Sequence, residues 1–114
     1  MSSCLFCSIA EGKIPCTEVY HDENILAFRD IDPKAPTHIL VIPKRHIGGL
    51  ADLSSDDAAE MGALMLAAAG IAEREGLNEK GYRFVVNCGE DGGQTVGHLH
   101  LHILGGRPMR WPPG

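Results

Sequence analysis

No apolar run in this chain approaches the ~20 residues needed to cross a bilayer, which argues against a transmembrane helix. The opening "MSSCLFCSIAEGK" has no basic region followed by an apolar stretch, so no secretory leader is expected. The expected location is the cytoplasm, a reducing compartment in which four cysteines suggest metal binding or free thiols more than disulfides. Positive charge is also in short supply. Ten Lys and Arg against fifteen Asp and Glu leave a net charge of −5, which excludes a dominant nucleic-acid-binding surface. A small anionic substrate stays open, because its binding is local. Internal repeats, low-complexity tracts and linkers are absent, so the 114 residues read as one domain, 1–114, with a modest core.

Along the chain, "CLFCSIAEG" predicts a short helical turn closed by Gly12. "TEVYHDENILAFRD" predicts two strands around a turn at Asp22, Glu23 and Asn24, with His21 solvated beside it. "THILVIP" is an apolar, branched strand closed by Pro43. The best helix runs roughly from Ser55 to Glu75. Ser54 or Ser55 is its cap, Met61, Leu64, Met65, Ala68, Ile71 and Ala72 form its core stripe, and Gly76 is its stop. "YRFVVN" and "HLHLHIL" complete the strands, on either side of the Gly-rich loop "CGEDGGQTVG". Mostly strands with one long helix predict an α+β fold, an antiparallel sheet backed by that helix.

Three of the six histidines, His98, His100 and His102, alternate with Leu99, Leu101 and Ile103. Strand side chains alternate between faces, so the aliphatic set can face a core while the imidazoles share the other face. Lys, Thr or Glu would solvate a face equally well. Three histidines point instead to chemistry near neutral pH or to metal. One reading is a three-His catalytic zinc; the other is an imidazole nucleophile supported by its neighbours. Cys4 and Cys7 have the spacing of half a zinc site, and only histidines can supply the rest, with His38, His46 and His98 all open. A redox pair would require a βαβ context that this chain does not have. The loop with Gly92, Gly93 and Gly97 lets backbone N–H groups approach an anion, and Gln94 and Thr95 add donors. It precedes a strand and has no Gly-Lys-Ser/Thr, so it is no Walker A loop. Cys16 and Cys88 are expected to be unpaired thiols without a role.

The stretches "FRDIDPKAPTHILVIPKRHI", "YRFVVNCGEDGGQTVGHLHLHILGGR" and "WPPG" resemble the histidine-triad (HIT) family, in its Hint branch of histidine triad nucleotide-binding proteins. The resemblance covers the chain from about Phe6 to Gly114. It implies a HIT-like five-stranded antiparallel sheet with one long and one short N-terminal helix, continued across a homodimer. It implies a purine nucleotide, AMP or GMP, and hydrolysis of nucleoside 5′-phosphoramidates through a nucleotidyl intermediate on His100. His102, His38 and Thr95 would assist. Phe6, Ile9, Ile14, Phe28 and Ile31 match the base pocket, and Asp30 the ribose contact. Asn87, Gly93, Gln94, Thr95, Val96, His100 and His102 match ribose and phosphate contacts, and Trp111 reaches towards a partner's site. Many Hint proteins have Ser where this chain has Thr95, whose extra methyl crowds the leaving group. Animal members also lack the cysteine pair. Bacterial relatives that keep it imply a structural zinc on Cys4, Cys7, His46 and His98, with no metal needed for catalysis. The same nucleophile would also serve cleavage of dinucleoside polyphosphates or nucleotidyl transfer. A non-catalytic nucleotide-binding dimer is a further reading.

Overall fold

The branched apolar residues gather in two segments, and these become the inner strands of one sheet. The computed structural model describes residues 4–114; the first three positions of the expected 1–114 domain lie outside the described residues. In chain order the elements are α1 (Leu5–Ala10), β1 (Glu18–His21), β2 (Ile25–Arg29), β3 (Thr37–Pro43), α2 (Ala58–Arg74), β4 (Tyr82–Val85) and β5 (Leu101–Gly105). The five strands pair antiparallel in the order β1-β2-β3-β5-β4. The architecture is the expected α+β one.

β2 and β3 are covered on both faces, which is why their sequences read as apolar runs without alternation. Ile25, Ala27, Ile39 and Val41 join Leu101 and Ile103 against Leu64, Ala68, Ile71 and Ala72 of α2. Leu26, Phe28, Leu40 and Ile42 face the other way and pack with Phe6 of α1. Burial of the Val, Leu, Ile and Phe side chains among these supplies roughly 1.5–3 kcal/mol each, and the alanines less. Because side chains alternate, His38 lies on the same face of β3 as Leu40. Leu40 pairs with His102 and His38 with Leu104, so His38 and His102 are diagonal neighbours on the α1 face.

Three expectations need correction. The long helix starts later: Ser55–Asp57 form a 3-10 turn and the α-helix begins at Ala58. Ser54 is the cap, since its side chain accepts from Asp56 N–H at 3.2 Å while Asp57 accepts from Ser54 N–H at 2.9 Å. Met65, 48% exposed, falls outside the core stripe, and Met61 is only half-buried. Gly76 ends the helix at φ +78°, a conformation that favours glycine.

The last strand is shorter than "HLHLHIL". Its ladder with β3 begins at Leu101, paired with Val41. Extending the ladder would set Leu99 opposite Pro43. Pro43 has no N–H, and its carbonyl is taken by the His98 ring at 2.8 Å. Leu99 N–H instead donates to Ile47 O at 2.6 Å. His98 and His100 therefore sit in an irregular segment just before the strand.

Candidate active site and metal centre

A cavity of ≈ 290 Å³ opens on the α1 face of the sheet. Phe6, Ile9, Ile14, Phe28, Asp30, Ile31, Thr95, Val96, His100 and His102 line it, all named from the sequence. Leu5, Pro15, Cys16, Arg29 and Leu40 line it too and were missed. Leu40 was findable, because it shares a strand face with His38. Cys16 carried no motif to mark it. Asn87, Gly93, Gln94 and Trp111 are not part of the lining.

The imidazoles divide by tautomer, and the backbone does the assigning. A neutral imidazole has one donor nitrogen and one acceptor. His100 Nδ1 lies 2.7 Å from the carbonyl of His98, so Nδ1 carries the proton and Nε2 carries the lone pair. Among the described residues no buried side-chain nitrogen lacks a partner. Nε2 has no partner, so it opens onto the cavity. On the other side, the Lys34 backbone N–H donates to His38 Nδ1 at 3.0 Å. His38 Nε2 must then hold its proton and donate to His102 Nδ1 at 2.9 Å. That fixes His102 with its proton on Nε2. Asp30 Oδ2 lies 3.4 Å from the same His38 nitrogen.

Burial, then repulsion from His100 and His38, pushes the His102 pKa down to about 4. Burial also lowers His38, with Asp30 opposing. Both rings are neutral at pH 7. The result is a nucleophilic lone pair on His100 beside a neutral N–H donor on His102, with ring centroids 4.9 Å apart. Phe6 stacks edge-on to His100 at 5.1 Å and to Phe28 at 5.6 Å, making the apolar wall.

Behind that wall, Cys4, Cys7, His46 and His98 bring four ligand atoms within 4.8 Å of one another. His98 Nδ1 is 3.3 Å from Cys4 Sγ and 3.5 Å from Cys7 Sγ, and His46 Nδ1 is 3.2 Å from Cys7 Sγ. A zinc tetrahedron with ordinary bond lengths has S···N edges of roughly 3.6 Å, so the residues fit zinc. His98 turns its other nitrogen to Pro43 O, the outer contact that orients a histidine ligand. Of the three candidates left open by spacing, His46 and His98 are therefore in the cluster and His38 is not. A second group, Asp30, His38 and His102, is also close enough to hold an ion. It does not fit one. His38 already accepts a backbone N–H on Nδ1, so Nε2 keeps its proton and has no lone pair to offer.

The glycine-rich loop is braced by the side chains expected to contact substrate. Gln94 Nε2 donates to Gly48 O at 2.7 Å and Val96 O at 3.0 Å, while its Oε1 accepts from Gly89 N–H. Asn87 donates to Gly92 O at 2.7 Å. Gly92 is needed for space, since a Cβ there would lie 2.2 Å from Cys88 O. Trp111 is 82% exposed, beneath the Arg83 guanidinium.

The HIT domain family matches residues 11–109. The chain is 51% identical over 115 residues to a 14 kDa zinc-binding protein of Zea mays, covering 99% of this chain and 89% of that one. Among solved structures, a HIT family hydrolase from Legionella pneumophila superposes with a TM-score of 0.97 at 55% identity, covering 98% of this chain and 100% of that one. A Zn-bound histidine triad family protein from Mycobacterium smegmatis superposes at 0.76 with 37% identity, over 92% of this chain and 76% of that one.

Proposed function

The chain belongs to the HIT family, and from that premise we propose that it is a purine nucleoside phosphoramidase, a single cytoplasmic HIT domain that works as a homodimer. The observation that carries this reading is the His100 tautomer. With Nδ1–H held by the His98 carbonyl, Nε2 meets the cavity as a lone pair.

His100 Nε2 attacks the α-phosphorus, and the P–N bond to the leaving amine breaks as the P–N bond to histidine forms. His102 Nε2–H steadies charge on a phosphoryl oxygen, together with the loop N–H groups of Thr95 and Val96, which line the cavity. With its pKa near 4, His102 is a neutral donor and holds no spare proton for the amine. The Thr95 hydroxyl, exposed in the lining, relays a proton from solvent to the departing amine. Water then attacks the phosphorus and gives up a proton to solvent as the P–N bond to His100 breaks, releasing AMP and neutral His100. Asp30, at the cavity rim, accepts from the ribose hydroxyls, and Phe6, Ile9, Ile14, Phe28 and Ile31 enclose the base.

Zinc, when bound by Cys4, Cys7, His46 and His98, supplies a structural cross-link between α1, the segment after β3 and the triad. A homodimer is supported by the open edge of β4 and by Met65 and Leu66 of α2, exposed at 48% and 74%.

The test is release of AMP from an AMP–alkylamine phosphoramidate, with and without prior metal removal, folding being followed by circular dichroism. Turnover that persists in stripped, folded protein supports the reading. Loss of turnover without loss of fold moves metal into the chemistry and contradicts it.

A further inference from the structure

The C-terminal segment after β5 is stitched to the loop between β2 and β3, at a point that bears on the histidines. Arg107 donates to the carbonyl of Lys34 through Nη2 at 2.9 Å and Nε at 3.2 Å. Its third contact, Nη1 to Pro108 O at 3.1 Å, holds the guanidinium in place. The preceding Gly106, at φ +91°, lies so close to Pro36 that a Cβ would come within 2.8 Å of its ring. That closeness requires glycine and fixes the approach of the tail to the loop. Lys34 is the residue whose N–H sets the His38 tautomer. The carbonyl and the N–H of Lys34 belong to successive peptide planes that meet at its Cα, so anchoring the carbonyl narrows the loop positions from which the N–H reaches His38.

We propose that Arg107 is a positioning residue for catalysis: by fixing Lys34 it locks the His38 tautomer, and through His38 it keeps the His102 proton on the nitrogen that faces substrate. Arg107 is far from the reacting atoms in the sense that matters. It does not line the cavity, and its connection runs through the Lys34 backbone and two imidazoles. A charged, forked donor suits the task, because two N–H groups on one carbonyl fix direction as well as distance. Without it the loop samples other orientations, His38 exchanges tautomers, and His102 loses its aimed donor for part of the time. The catalytic half of this inference rests on the phosphoramidase reading; the tautomer half does not.

The experiment is two-bond 1H–15N correlation of the histidine rings in the full-length, zinc-loaded protein at neutral pH. It compares wild type, Arg107→Met, which keeps the stem, and Arg107→Lys, which keeps one donor. In wild type, His38 should show a protonated Nε2 and an unprotonated Nδ1, with His102 protonated on Nε2. In Arg107→Met, both rings should move to averaged shifts, and Arg107→Lys should lie between. Turnover of the AMP–alkylamine phosphoramidate should fall about tenfold in kcat for Arg107→Met, a fraction of the ~10²–10³ lost when a donor is removed outright, with KM within about twofold of wild type. A His38 protonated on Nδ1 in wild type overturns the proposal without any variant, as do wild-type ring shifts in a folded Arg107→Met. Should Arg107→Met fail to fold, the wild-type and Arg107→Lys spectra decide alone. If wild type turns over no phosphoramidate while the tautomers behave as stated, the function reading fails and the positioning link stands.

Discussion

The backbone carbonyl of His98 accepts the Nδ1 proton of His100 at 2.7 Å, while the His98 ring turns to Cys4 and Cys7. One residue thus joins the metal cluster to His100, the proposed nucleophile. Removing the metal should act first on stability and on the apolar wall, because Phe6 lies between the two cysteines and packs on His98 and His100. Cys7→Ser should lose zinc, lower the melting temperature and weaken AMP binding. Turnover per folded molecule should persist. Zinc content, thermal unfolding and AMP titration on one preparation check this.

The lowered pKa of His102 sets an acid limb of stability. The folded value is about 4 and the unfolded value about 6.5. Above ~6.5 both states are neutral and nothing is lost. As pH falls from ~6.5 to ~4 the unfolded chain takes up a proton that the fold refuses, so stability declines across that window. His102→Asn removes this contribution. Urea unfolding at pH 7.5, 6 and 4.5 should show a shallower decline for the variant. Equal slopes would contradict the burial argument, and comparing the two proteins cancels the shared acid sensitivity of the zinc ligands.

Asp30 lines the cavity, and on the proposed reading it accepts from the ribose. A hydrogen bond to a charged group is worth ~1.5–3 kcal/mol, which predicts roughly 10- to 100-fold preference in kcat/KM for the ribo- over the 2′-deoxy-phosphoramidate. Asp30→Ala should erase the preference by lowering the ribonucleotide value more than the 2′-deoxy value, which loses only its 3′-hydroxyl contact. Competition between the two substrates measures it directly.

Gln94 should prove a loop brace. Gln94→Ala leaves Gly48 O, Val96 O and Gly89 N–H without their side-chain partners, a loss of about 1–3 kcal/mol. Faster hydrogen exchange confined to the loop from Cys88 to Gly97 is the expected signature. A variant with native exchange and a purely kinetic defect would return Gln94 to direct substrate contact.

The fold was largely legible in the sequence, because alternation and helical spacing are local. "THILVIP" and the Leu64, Ala68, Ile71, Ala72 stripe fell where expected. The partnerships were legible only in part. His46 and His98 could not be chosen over His38 by spacing, since Cys4 and His98 stand 94 positions apart. The shortened last strand depends on a carbonyl at Pro43 being captured by a side chain from elsewhere in the chain. Gln94 looked like a donor for phosphate because its side chain can donate; only the fold reveals that backbone carbonyls occupy it. Lys34 and Arg107 lie within stretches that resemble the family, but no sequence signal marks them for a role, as their effect passes through the main chain.

The central claim is that His100 becomes covalently attached to the nucleotide. Wild-type protein mixed with excess AMP–alkylamine phosphoramidate, quenched within milliseconds in alkaline denaturant to spare an acid-labile P–N bond, is read by mass spectrometry. An AMP adduct on the peptide containing His100, absent from His100→Ala along with turnover, is the result predicted. AMP release without any adduct, or an adduct and near-normal turnover in His100→Ala, would contradict the account.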